Sequence, residues 1–193
     1  MIRIVTESMS DFTQEEAKAA DLIVMPLPIR FGMEEYWDDG VSLTQDDFYA
    51  RLRVAKELPK TSQVPVEHYR KCFNRLLENP EDEVLVITGS SKLSGCYQSA
   101  CIAREACHDP ARVTVLDSLN ATCAEYMLVD QALRYRREGV SDMQTMLAKL
   151  RDVMAHYKII GMAADLKYRH GRTAFAFGGQ AGQPPEHQAD AED

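Results

Sequence analysis

Short continuous apolar runs alternate along this chain with amphipathic stretches of helical period. Arg3-Ile4-Val5, Leu22-Ile23-Val24-Met25, Val84-Leu85-Val86-Ile87 and Arg112-Val113-Thr114-Val115-Leu116 are too short for helices and read as strands. Thr13 with Gln14-Glu15-Glu16 opens a short helix, and Thr44 caps another over 45–54, with Asp47 at the capping-box position. Pro65 suits the first position of a third helix, whose Tyr69, Cys72, Phe73, Leu76 and Leu77 fall on one face. A fourth runs from Ser94, as N-cap, through Cys107. A longer helix over 120–137 finishes in Arg134, Arg136 and Arg137, read as a solvated helix end, before Gly139. Ser141 and Gln144 are spaced as a capping box for the next helix, with Met143, Met146, Leu147, Leu150, Val153, Met154 and Tyr157 on its apolar face. Pro26 and Pro28 exclude a central strand for 29–37, which reads as an edge hairpin or extended arm ending at Trp37, followed by a turn at Asp38-Asp39-Gly40. Strands alternating with helices predict an α/β fold, a mostly parallel sheet flanked by helices.

The pattern changes near the carboxyl end. Lys158-Ile159-Ile160-Gly161-Met162 reads as one more strand, whereas Gly178 to Asp193 holds prolines, glycines, glutamines and acids without a periodic apolar residue, the composition of a disordered tail. The expected organisation is a lobe over 1–157, a short segment over 158–177 and a tail over 178–193.

A chain of 193 residues with 45% hydrophobic residues has enough material for one globular core. Its formal net charge of -8 argues against a nucleic-acid binder that works by neutralising phosphates. The amino terminus lacks a signal-length apolar stretch, and no segment approaches the ~20 apolar residues that span a bilayer. The five cysteines have no C-x-x-C spacing, which fits reduced thiols in a cytoplasmic protein without a structural metal site.

Candidate chemistry concentrates in Gly89-Ser90-Ser91-Lys92-Leu93-Ser94-Gly95-Cys96-Tyr97-Gln98-Ser99-Ala100, between a buried strand and a helix. Hydroxyls, backbone amides and a helix N-terminus together can receive a phosphate or carboxylate. Taken alone, the turn also reads as an ordinary strand-to-helix connection. Three further segments accompany it: Thr6-Glu7-Ser8-Met9-Ser10-Asp11 after the first strand, Lys60-Thr61-Ser62-Gln63-Val64-Pro65 before the third helix, and Leu116-Asp117-Ser118.

In this order, with Asp39-Gly40-Val41, the segments resemble the DegV family of bacterial fatty-acid-binding proteins over residues 1–172. Lys60, Cys96 and Glu7 depart from that family's usual threonine, threonine and aspartate. The resemblance implies a carrier rather than an enzyme, with no cofactor, holding a long-chain fatty acid and presenting its carboxylate to a dihydroxyacetone-kinase-like fatty-acid kinase that makes an acyl-phosphate. It also implies a head-group site between Thr61-Ser62 and Ser94-Gly95, with Ser91 in support and Arg172 near the pocket mouth. Such a site needs several hydrogen bonds to offset desolvation of the carboxylate, and hydroxyls with helix-end amides can supply them. Family members continue into a second lobe, so this chain is expected to carry the first lobe and only the opening of the second, with impaired binding. Apolar faces left bare, Ile159-Ile160-Gly161-Met162 and the Met146-Leu150-Met154 stripe, are expected to favour a homodimer or aggregation.

Two other readings compete. Ser91 or Ser94 as nucleophile would make a serine hydrolase, but there is no Gly-x-Ser-x-Gly elbow, and no histidine ends a predicted strand. A non-lipid anion-binding or interaction module would use the same turns for phosphate.

Overall fold

The computed structural model describes residues 1–157. The expected strand at 158–162, the segment to 177 that contains Arg172, and the tail at 178–193 lie outside the described residues.

Four parallel strands form the central sheet: β1 (Ile2–Glu7), β2 (Leu22–Met25), β6 (Glu83–Thr88) and β7 (Val113–Asp117), in the order β2-β1-β6-β7. A smaller antiparallel sheet comprises β3 (Pro28–Phe31), β4 (Glu34–Trp37) and β5 (Lys60–Thr61), with β3 in the middle. The helices are α1 (Gln14–Ala19), α2 (Gln45–Val54), α3 (Val66–Leu76), α4 (Cys96–Glu105), α5 (Thr122–Arg137) and α6 (Met143–His156).

The near-continuous apolar character of β6 follows from burial on both faces. Leu85 and Ile87 join Ile2, Ile4 and Leu116 against Leu128, Leu133, Met146 and Leu150 of α5 and α6. Val84 and Val86 point the other way, with Val5 and Val113, against Tyr69 and Phe73 of α3 and Ala100 and Ala103 of α4. Full burial of side chains of this size contributes roughly 1.5–3 kcal/mol each, so the two helix layers stabilise the sheet far more than its edges do.

The helix caps confirm some sequence readings and correct others. Thr13 makes a complete capping box with Glu16 on α1. Thr44 accepts the Asp47 amide at the start of α2, while the Asp47 carboxylate bonds the Thr44 hydroxyl. The α6 cap is Asp142, which accepts the Thr145 amide at 2.7 Å, and not Ser141. A carboxylate one residue later reaches the same first turn with a stronger, charged acceptor. Pro65 precedes the first residue of α3 instead of occupying it.

Arg136 is not a solvated helix end. Its guanidinium is largely buried and donates to the Ala20 and Asp21 carbonyls, so it fastens α5 to the α1–β2 connection. Met143 and Met146 are core residues, as expected. Met146 and Leu150 are fully buried against the sheet, so the Met146-Leu150-Met154 stripe is not a bare face available to a second copy. All five cysteines are free, and burial pushes the Cys72 and Cys96 thiols up to about 11, which keeps them protonated and unreactive.

Candidate functional site

The serine turn leaves the carboxyl end of β6 and is folded by its own hydrogen bonds. The Ser90 amide donates to the Asn120 carbonyl at 2.7 Å, and the Ser90 carbonyl accepts the amides of Leu93 and Ser94. The Ser91 amide donates to Asp117 Oδ1 at 3.2 Å, which turns this part of the loop toward the end of β7. Ser94 is not the N-cap of α4. That position belongs to Gly95, and the Ser94 hydroxyl accepts the Cys96 amide at 3.2 Å from one residue earlier. Because Gly95 has no side chain, the first turn of α4 receives no side-chain cap from it, which leaves helix-end amides for an external anion.

The Lys60-Thr61 pair is strand rather than turn. Thr61 is in register with Ile29, and the Ser62 amide donates to the Pro28 carbonyl at 3.2 Å. The chain then crosses to the main sheet, where the Ser99 hydroxyl of α4 donates to the Val64 carbonyl at 2.5 Å. Between these anchors the Gln63 side chain lies on Gly95, with its Cδ and Oε1 each 3.1 Å from where a Cβ would stand. The structure thus brings the 61–64 segment alongside Ser94-Gly95, two regions some thirty positions apart in the chain. Thr61, Ser62 and Ser91 are exposed, and Ser94 and Gly95 are half-buried.

Thr61 also borders a crevice of about 860 Å³ between the small sheet, α2 and the end of β1. Phe12, Val24, Ile29, Leu43 and Phe48 give it apolar walls, and Asp11 and Asp38 stand in its lining. Burial raises the pKa of both acids, and Asp38 adds repulsion at Asp11. A second cavity of about 430 Å³, among Arg3, Ile23, Arg75 and Asp82, lies at the amino edge of the sheet and touches none of these turns.

A family model described as an uncharacterised protein of the DegV family matches residues 1–172. The chain belongs to the DegV family. It is 36% identical over 177 residues to a DegV domain-containing protein of Caldanaerobacter subterraneus subsp. tengcongensis, spanning 89% of this chain and 60% of that one. A solved DegV protein from Thermus thermophilus, described by its fatty acid binding, superposes with a TM-score of 0.72 at 30% identity, covering 80% of this chain and 53% of the other. A stearic acid-binding protein from Eubacterium ventriosum gives 0.71 at 30% identity, with 78% and 52% covered. The chain therefore spans between half and three fifths of the length of these relatives.

The serine nucleophile has no matching base among the described histidines. His68 packs on Trp37 with ring centroids 5.0 Å apart, His156 meets the Asp152 carbonyl within its own helix, and His108 is exposed after α4 with its backbone amide bonded to Asn74. Ser94 instead accepts a backbone amide, which is the role of a loop residue.

Sequence reasoning missed a group directly beneath the serine turn. Glu7, the last residue of β1, and Glu125, in the first turn of α5, are both fully buried. Glu7 Oε1 accepts the Gly89 amide at 2.6 Å, and Tyr69 reaches its other oxygen at 3.4 Å. Thr6 donates to Glu125 Oε1 at 3.1 Å, while Glu125 Oε2 has no partner. A signal was available: Glu125 sits on the same helical stripe as Leu128, Val129, Ala132 and Leu133, at spacings of three, four, seven and eight, so a helical reading places it among core residues.

Proposed function

We propose that this DegV chain holds the carboxylate of a long-chain fatty acid between Thr61-Ser62 and Ser94-Gly95. The observation that supports the reading is the packing of Gln63 on Gly95, which brings the segment following Thr61-Ser62 against the residue that precedes α4. Hydroxyl donors and helix-end amides suit an anion without a buried lysine or arginine. The solved relatives described as binding fatty acid and stearic acid support the ligand class.

The apolar crevice beginning at Thr61 offers surface to the acyl chain, at about 0.8 kcal/mol per methylene buried. Asp11 and Asp38 in its lining repel an anion, which favours the orientation with the carboxylate at the Thr61 end. Ser91, turned toward Asp117, supports the shape of the serine loop rather than touching the ligand. In the full reading the bound acid is presented to a dihydroxyacetone-kinase-like fatty-acid kinase; Arg172, which the family resemblance adds to the site, lies outside the described residues.

The test is titration with a fluorescent long-chain fatty acid, with native mass spectrometry of any ligand retained through purification. Thr61→Ala and Ser94→Ala each remove a charge-assisted hydrogen bond worth roughly 1.5–3 kcal/mol, or about one to two decades of affinity. Equal affinity in the double variant would put the head group elsewhere. Phosphorylation of the bound acid by a fatty-acid kinase with ATP tests the presentation step separately.

A further inference from the structure

The strand order β2-β1-β6-β7 reverses direction between β1 and β6, so the crevice at the carboxyl ends of these two strands is where an open α/β sheet ordinarily receives a ligand. Here that position is filled by Glu7 and Glu125. A Cβ placed on Gly89 would stand 3.0 Å from Glu125 Oε2 and 3.2 Å from Glu7 Oε1, so both oxygens converge on the same side of the first residue of the serine turn.

We infer that Glu7 and Glu125 are a proton-sharing acid pair which, through the Gly89 amide, ties the serine turn to the protonation state of the sheet's carboxyl edge. The two carboxyls differ in their partners. Glu7 faces an N–H donor from Gly89 and an O–H donor from Tyr69, which suits a carboxylate. Glu125 receives one bond from Thr6 while its buried Oε2 has no donor, so an ionised carboxylate would leave that oxygen unpaired, whereas a proton there supplies an O–H that can turn to Glu7.

The surrounding charges point the same way. Tyr69 of α3, Cys96 of α4, Asp11 after β1, Asp117 of β7 and Tyr157 after α6 are the other titratable groups that act on the pair or feel it, and each is acidic. Burial is the largest cause raising both carboxyls, and Glu7 adds repulsion at Glu125. A cation is the poorer counter-charge, because the Glu7 oxygens are already turned to hydrogen-bond donors. The described residues also hold no group of three or more His, Cys, Asp or Glu side chains suited to a metal ion. With one proton the pair carries a single negative charge. Loss of that proton to solvent leaves two charges beside one glycine, and the Gly89 amide is the contact through which the turn must respond.

The experiment is infrared spectroscopy of the full chain across a pH series, with the Gly89 amide followed by nuclear magnetic resonance. At about pH 8 an ordinary glutamate is fully ionised, so a carboxylic-acid C=O band persisting there is the expected signature. Glu125→Gln keeps an N–H donor at the same place but should abolish that band, together with the high-pH transition of the Gly89 amide. Should that variant not fold, carbon-13 labelling of glutamate side chains in the parent chain gives the same answer, with one carboxyl still in its acid form. Fully ionised glutamates at about pH 8, or a Gly89 amide that stays unchanged while the band disappears, would overturn the inference. Neither readout depends on what the serine turn binds.

Discussion

Replacing Gly89 by alanine tests the packing beneath the site most directly. The new methyl group would stand 2.6 Å from Met9 Sδ, 3.0 Å from Glu125 Oε2 and 3.2 Å from Glu7 Oε1. The methionine sulfur is the flexible member and can swing aside. The carboxyl oxygens cannot, since Glu7 Oε1 is held by the Gly89 amide itself and Glu125 by Thr6. Overpacking of this kind costs about 1–3 kcal/mol. Gly89 does not adopt a positive φ, so alanine also gains roughly 0.4–1 kcal/mol from a less flexible unfolded chain. The net expectation is a loss of about 1–2 kcal/mol, a fall in thermal midpoint of roughly 2–4 °C per kcal/mol for a chain of this size. Urea denaturation monitored by circular dichroism, with parent and variant at the same pH, measures it. An unchanged or raised midpoint would mean that the acid pair does not crowd Gly89 and that its described position is wrong.

Gly95→Ala meets looser contacts and a different neighbour: the nearest atoms are Gln63 Cδ and Oε1 at 3.1 Å, and this exposed side chain can move, so stability should stay within about 0.5 kcal/mol. Fatty-acid affinity in the same variant should fall, because Gln63 forms part of the seam between Thr61 and Ser94, and a fluorescence titration beside the denaturation curve reads the difference. The pH dependence of folding has a defined sign. Burial lifts Glu7 from its ordinary 4.5 to about 7, so between these values the native state keeps a proton that the unfolded chain releases, and stability should decline as pH rises through this window. Glu125 keeps its proton through the same window and adds a decline of the same sign, so Glu7→Gln should lessen the decline in urea midpoints without abolishing it, and an equally steep decline in the variant would assign it to other groups.

Much of the fold was legible because hydrophobic period reports which faces are buried. The Val84-Leu85-Val86-Ile87 run required burial on both sides, and the structure supplies α5 and α6 on one face and α3 and α4 on the other. Local rules also placed Thr13 and Thr44 correctly, since a cap acts within one turn of its own residue. The serine turn and the Thr61 segment were readable as polar punctuation, and their order resembled the family to which the chain belongs.

What the sequence could not determine depends on distant partners. Lys60-Thr61 is strand only because β3 offers an open edge, and two residues carry no period of their own. The cap of α6 moved from Ser141 to Asp142, and that of α4 from Ser94 to Gly95, because competing donors and acceptors are separated only by the backbone path they meet. Arg136 looked like a helix end until the carbonyls of Ala20 and Asp21 approached it from the other side of the sheet's edge. Glu7 and Glu125 lie more than a hundred positions apart and become a pair only when β1 and α5 meet at Gly89. Periodicity tells which side chains leave water; which buried polar groups then face each other is decided by the tertiary structure, where each loses solvent and acquires a neighbour at the same time.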